Sequence, residues 1–472
     1  MLHIDNIYIN GEFVTPHGSE TFALFNPATE AVIGQVRLAD EEDARRAIAA
    51  AKAAFPAWSK TTIQQRLAVL ERMYQAVRAR EADLLDAIVT EYGAPASRAQ
   101  WMAEWPAQTI KLAMETLTNF EFVEQVGRAQ VVMTPVGVAG LITPWNSDAG
   151  FICNKLATAM AAGCTAVIKP SEMSAWQTQI VTEALHAAQI PAGVVNIVTG
   201  RGEVVGDIIN HHPDIAKISF TGSTAVGKHI IASGAQTLKR VTLELGGKSP
   251  TLILDDADVQ QAVPLALAAG FMNSGQACIA GTRILVPEQR LAEFEQAIVE
   301  GMKAYISGDP RDLQTTIGPM VSRKQWQRVQ EYIRLGQQEG ARVLVGGEGR
   351  PQGMDKGWCV KPTVFSDVHN QMRIAREEIF GPVLVLIPYQ DQAEAIALAN
   401  DTTYGLSALV LSGDRQRGQE VALAIESGRV LVNTLDHEPQ APFGGFKQSG
   451  LGREMGKWGM QAYLEPKTVL IG

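Results

Sequence analysis

Cys278 sits among small residues in Gly275-Gln276-Ala277-Cys278-Ile279-Ala280-Gly281, just past an apolar helical run from Ala262 to Met272. Small neighbours leave room for a ligand, and a thiol attacks a carbonyl carbon once it has lost its proton. A free thiol has a pKa of about 8.5, so a nucleophilic cysteine needs a site that favours the thiolate. The same loop also suits a cysteine that packs as a small hydrophobe. Glu244, in Leu243-Glu244-Leu245-Gly246-Gly247-Lys248, is flanked by leucines. Burial there would raise its pKa toward the range of a general base; the plain alternative is a strand-end acid paired with Arg240 or Lys248. Asn146, after Thr143-Pro144-Trp145, carries an amide able to donate to an oxyanion or to cap a helix.

Other stretches suit a nucleotide. Phe220-Thr221-Gly222-Ser223-Thr224-Ala225-Val226-Gly227 lies where a strand gives way to a helix. Glycines let a backbone approach a ligand there, and free amides at a helix start favour a phosphate. Neither it nor Gly200-Arg201-Gly202 has the GxGxxG spacing of the dinucleotide fingerprint. Lys169-Pro170-Ser171-Glu172 falls at the carboxyl end of a predicted strand, where open α/β sheets bind ligands. An acid at Glu172 can accept from a ribose diol and would repel a 2′-phosphate, which favours NAD and leaves NADP possible. Glu377-Glu378-Ile379-Phe380-Gly381-Pro382 and the glycine-rich Pro442-Phe443-Gly444-Gly445-Phe446-Lys447 complete the set.

Alternating strands and helices must position these groups. A hairpin at Ile7–Phe13 is followed by helices over Glu41–Phe55, from Ile63 to Val77, and from Ser97 to about Leu117. Phe120–Met133, broken at Gly127, reads as two long strands, either an arm to another subunit or a surface hairpin. Short branched-apolar runs then recur at Val136–Thr143, Cys164–Lys169, Val194–Thr199, Ile215–Thr221 and Val241–Leu245, separated by helical stretches. Buried parallel strands joined by helices predict an open, doubly wound α/β sheet. A second series follows, with strands near Ile284–Val286, Val343–Val345, Val383–Pro388 and Ala408–Leu411.

Composition narrows the class. The 472 residues suffice for two or three domains, and 46% hydrophobic with 19% charged residues describes a globular chain. A net charge of −9 without a basic stripe disfavours nucleic acid. No apolar run reaches transmembrane length and no apolar signal core stands at the start, so no membrane association and a cytoplasmic location are expected. Four scattered cysteines without CxxC spacing argue against disulfides and against a metal site.

In this order and at these separations, the motifs resemble those of the NAD(P)-dependent aldehyde dehydrogenase superfamily, in its hydrolytic, non-CoA-acylating branch, over essentially the whole chain. The resemblance implies a Rossmann-type coenzyme domain (residues 1–116 and 136–246), an α/β catalytic domain (247–447) and a small β oligomerisation arm (117–135 and 460–472). It implies Cys278 as nucleophile, Asn146 as oxyanion donor, Glu244 as base, and Lys155 and Glu454 as a pair that helps the base exchange its proton. Implied coenzyme contacts are Ile142, Thr143, Pro144, Trp145, Lys169, Ser171, Glu172, Gly202, Gly222, Ser223, Val226, Gly227, Leu245, Gly246, Glu378 and Phe380. Aldehyde oxidation through a cysteine thiohemiacetal and thioester, in a homodimer or homotetramer, is what such a chain would do.

The chain departs from the family at the substrate mouth. Ser147 and Asp148 stand where many relatives carry an aromatic and a proline, and Asn154 replaces a frequent tryptophan before Lys155. With Phe151 and Phe443 as apolar walls, these changes predict a wider, more polar entrance. The expected substrate is a bulky or polar aldehyde with a hydrogen-bonding or cationic group near Asp148, unless Asp148 only caps a helix. Two alternatives stay open: CoA-acylating chemistry, against which Glu244 argues, and a catalytically silent protein on the same scaffold.

Overall fold

The computed structural model describes all of Met1–Gly472, and two large β-sheets organise it. The first has eight strands in the order Gly450–Leu451, Arg240–Glu244, Ile215–Thr221, Val138–Ile142, Thr165–Lys169, Val195–Ile197, Ile7–Ile9, Glu12–Val14. Its run from Arg240–Glu244 to Val195–Ile197 is parallel, and the outer strands are antiparallel. Parallel neighbours need crossovers, which the helices Asp148–Ala162, Ala175–Ala187 and Thr224–Gly234 help supply. The strands Val138–Ile142 and Thr165–Lys169 are buried along their whole length, as predominantly apolar runs covered on both faces must be.

The second sheet runs Arg342–Val345, Thr363–Ser366, Val383–Tyr389, Arg283–Pro287, Pro250–Ile253, Ser407–Leu411, Arg429–Val432, parallel except at Arg342–Val345. Pro250–Ile253, Thr363–Ser366 and Arg429–Val432 are not distinguished by the sequence pattern. Each has only four residues, and Arg429–Val432 repeats the Arg-Val-Leu-Val of Arg342–Val345, where a strand is expected. Arg283 stitches this unit together from inside. Its fully buried guanidinium donates to the carbonyls of Lys248, Leu398 and Ala399 at 2.9 Å each and to Asn370 Oδ1 at 3.0 Å.

The predicted long strands are Val123–Val126 and Ala129–Pro135, turning at Gly127 as expected. Leu464–Leu470 pairs antiparallel with Ala129–Pro135, giving a three-stranded sheet whose outer strands have no further partner. Val123, Val126, Val469 and Leu470 on it are exposed.

Candidate active site

Glu244 ends a strand of the first sheet, Asn146 follows another, and Cys278 lies in the loop before Arg283–Pro287 of the second. All three line one cavity of about 380 Å³. The link between sheets is tight. A Cβ on Gly247 would lie 2.4 Å from the Cys278 carbonyl oxygen, and one on Gly246 would lie 2.4 Å from Glu378 Oε2.

The Cys278 loop is held in an unusual conformation. Asn273, Ser274 and Gly275 are consecutively left-handed, with φ of 52°, 58° and 73°. Each of the first two costs of order 1–3 kcal/mol unless its surroundings fix it. They do. Buried Gln276 receives the Val321 N–H at 3.0 Å and donates to the Pro319 carbonyl at 3.3 Å and the Tyr92 hydroxyl at 3.4 Å. Asn146 Nδ2 donates to the Gln276 carbonyl at 3.0 Å, and Asn273 Nδ2 returns a bond to the Asn146 carbonyl at 3.1 Å. The candidate oxyanion donor and the cysteine loop therefore move as one piece. At Gly275 a Cβ would meet the Gly381 carbonyl oxygen at 2.2 Å. Gly275→Ala is expected to lower stability by about 1–3 kcal/mol, read as a reduced urea midpoint.

Electrostatics at rest favour neutral groups. Glu244 is only 2% exposed, and neither of its carboxylate oxygens has a hydrogen-bond partner. Burial pushes its pKa well above the usual carboxylate range, with Glu454 adding to the shift and Lys155 and Arg453 opposing it. Burial likewise pushes the Cys278 thiol up to about 12, helped by the Glu378 and Glu244 charges. Beside this pair, fully buried Lys155 forms an ion pair with Glu454 and donates to Ser219 Oγ at 3.0 Å. Ser219 Oγ in turn donates to Glu454 Oε1 at 2.9 Å.

The expected coenzyme residues gather along the carboxyl ends of the first sheet's parallel strands. Ser223 caps the helix Thr224–Gly234, accepting from the Val226 N–H at 3.4 Å, and both residues are exposed. Gly222 precedes them, and Gly227 packs so closely on Leu245 that a Cβ would lie 2.6 Å from its Cδ2. Ile142 ends the neighbouring strand and Thr143, Pro144 and Trp145 follow it, and the Trp145 ring meets Phe380 edge-on at 5.4 Å. Lys169 donates to the Pro170 carbonyl at 2.9 Å and lies 3.6 Å from Glu172, which Arg201 approaches to 3.4 Å. Ser171 accepts from the Met173 N–H, and nothing lies within 4 Å of a Cβ built on Gly202. Glu378 accepts from the Gly247 N–H at 3.0 Å, and burial raises its pKa to about 7. Free amides at an exposed helix start and a carboxylate lying over a bare glycine fit an extended dinucleotide.

Of the residues expected at a substrate mouth, Ser147, Phe151, Asn154 and Phe443 line the same cavity as Cys278. Asp148 does not. Its side chain is fully buried, accepting from Thr143 Oγ1 and Thr178 Oγ1 at 2.8 Å each, and burial raises its pKa to about 7. Nor does it cap the helix, because it is the first helical residue and Ser147 precedes it. Both of its oxygens are taken up inside the protein, so the expected polar handle is absent. In its place stand Trp101 and Trp105, stacked at 5.1 Å, with Arg98, Arg429, Leu435 and His437. Sequence reasoning missed these wall residues; the four-residue spacing of the tryptophans on a predicted helix was the available signal.

The sequence model of the aldehyde dehydrogenase family matches residues 13–469. A "3-succinoylsemialdehyde-pyridine dehydrogenase" of Pseudomonas sp is 43% identical over 465 residues, 98% of each chain. The fold superposes at a TM-score of 0.97 on aldehyde dehydrogenase C of Pseudomonas syringae, a cysteine-to-alanine mutant complexed with NAD+ and octanal. That protein is 43% identical, with 99% of this chain and 96% of that one covered. An E. coli NADP dependent enzyme matches at 0.95 with 36% identity, covering 99% of this chain and 98% of its own. Sharing fold, motif order and sequence along nearly its entire length, this chain belongs to the aldehyde dehydrogenase family.

Proposed function

We propose that the protein oxidises an aldehyde to the carboxylic acid with NAD+, using Cys278 as nucleophile, Asn146 as oxyanion donor and Glu244 as base. The carrying observation is that thiol, amide and orphaned carboxylate share one cavity. The Cys278 thiolate forms a bond to the aldehyde carbon, and the carbonyl electrons move to oxygen, where the Asn146 amide and the Cys278 N–H receive them. NAD+, when bound, supplies the hydride acceptor. Collapse of the oxyanion releases hydride and leaves a thioester on sulfur. Glu244 then takes a proton from water, whose oxygen displaces the thiolate and yields the acid. Glu454, paired with Lys155, accepts that proton from Glu244 in turn. A buried base with no competing partner also favours water over a CoA thiol as acyl acceptor. The test is an aldehyde panel with both coenzymes, with and without coenzyme A. Carboxylate formation with NAD+ alone supports the reading, and strict dependence on coenzyme A overturns it.

Because the thiol pKa is raised, the thiolate fraction is small at neutral pH and grows as pH rises. Carbamidomethylation of Cys278 in coenzyme-free protein should accelerate about tenfold per pH unit between pH 7 and 9. Mass spectrometry can follow it, since the other three cysteines are buried.

For coenzyme choice, the Glu172 carboxylate beside the ribose position favours NAD. The open strand edges of Val123–Val126 and Leu464–Leu470, with their exposed valines and leucine, support a homo-oligomer assembled through this arm. Light scattering distinguishes dimer from tetramer. Four unpaired cysteines suit a cytoplasmic location.

A further inference from the structure

Two guanidiniums on the wall of the reaction cavity lack a carboxylate partner. Arg98, in the first turn of the helix Ala96–Asn119, lies over the Trp101 ring at 4.1 Å, and its buried Nε has no hydrogen-bond partner. Arg429, at the start of the strand Arg429–Val432, donates through Nε to Ser407 Oγ at 3.2 Å and forms no ion pair. The acids bearing on them are the Tyr92 phenol and the Cys278 thiol, both held neutral by burial. Other carboxylates at the cavity are otherwise engaged or remote: Glu244 hydrogen-bonds to neither guanidinium and burial disfavours its charge, Glu454 is paired with Lys155, and Asp436 is exposed at the rim. Taking a cation out of water without a counter-charge is costly, so such a pair suits an anion that arrives with the ligand.

Resting on the aldehyde-oxidising reading, we propose that the substrate carries a carboxylate besides its aldehyde, received by Arg98 and Arg429. Trp101, Trp105, Phe151 and Phe443 supply apolar wall for the body between the two ends, which suits an aryl or alkyl spacer. This reverses the sign expected from Asp148. The entrance selects for negative charge.

The experiment compares kcat/KM for 4-carboxybenzaldehyde and succinate semialdehyde with that for their neutral amides, at low and high salt. An acid-to-amide ratio of about 10–100 at low salt is expected, falling with ionic strength. In Arg98→Met and Arg429→Met the ratio should drop toward one, and Arg98→Lys should restore part of it. A wild-type ratio at or below one overturns the proposal, as does a preference that survives in the double methionine variant. A readout without turnover separates this from the activity itself: tryptophan quenching by 4-methylbenzoate and by 4-methylbenzamide in wild-type protein. Tighter binding of the benzoate supports the site even where no aldehyde is oxidised, and equal binding removes it. Good oxidation of neutral aldehydes with no advantage for acids leaves the activity standing and the carboxylate inference refuted.

Discussion

Cys278→Ser is expected to lose aldehyde-dependent NADH formation by about four orders of magnitude or more, the scale seen when a covalent nucleophile is removed. A serine hydroxyl in the same place is a far weaker nucleophile, and no neighbouring group is set to activate it. Neither oxygen of Glu244, which lines the same cavity, is hydrogen-bonded to the residue at position 278. The loop conformation rests on Gln276, Asn273 and Gly275, none of which the change touches, so the fold and NAD+ affinity should persist. Calorimetric titration of NAD+ checks that half. Retention of even a hundredth of the parent turnover would place the chemistry on another residue.

The second large effect separates the two halves of the reaction. Glu244→Gln keeps the shape of the base and removes its ability to take a proton. Hydride release does not need that proton, whereas thioester hydrolysis does. Rapid mixing with aldehyde and NAD+ should therefore show a burst of about one NADH per active site, followed by steady-state turnover reduced about 10²–10⁴-fold. Intact mass should then carry the acyl group on Cys278. The same substitution leaves an amide in the place of two unpartnered oxygens, so stability should change little or rise. Steady turnover equal to the parent would remove Glu244 from the role of base.

Much of this was legible in the chain. The runs Ile215–Thr221 and Cys164–Lys169 announced buried parallel strands because they are short and rich in apolar residues, and the folded strands match them closely. Cys278, Glu244 and Asn146 stood out because each is a reactive or polar group set among small or apolar neighbours. The entrance was not legible. Asp148 looked like a wall residue because, with Ser147, it stands where many relatives carry an aromatic and a proline. In the fold, however, Ser147 lines the cavity while the next side chain, Asp148, turns inward to Thr143 and Thr178. Arg98 and Arg429 are 331 positions apart in sequence (429 − 98), and only the packing of a helix from the first unit near an edge strand of the second brings them to one cavity.

The cysteine loop and the substrate walls are anchored separately. Trp101 and Trp105 stand on a 24-residue helix, and Arg429 on a strand at the margin of its sheet, while residues 273–276 are pinned by Gln276 and Asn146. Directed libraries confined to the helix face and that outermost strand can thus retune which molecules are admitted and leave the attacking sulfur undisturbed. Such a division makes the scaffold evolvable, with new diets reachable by single steps and no loss of the reaction along the way.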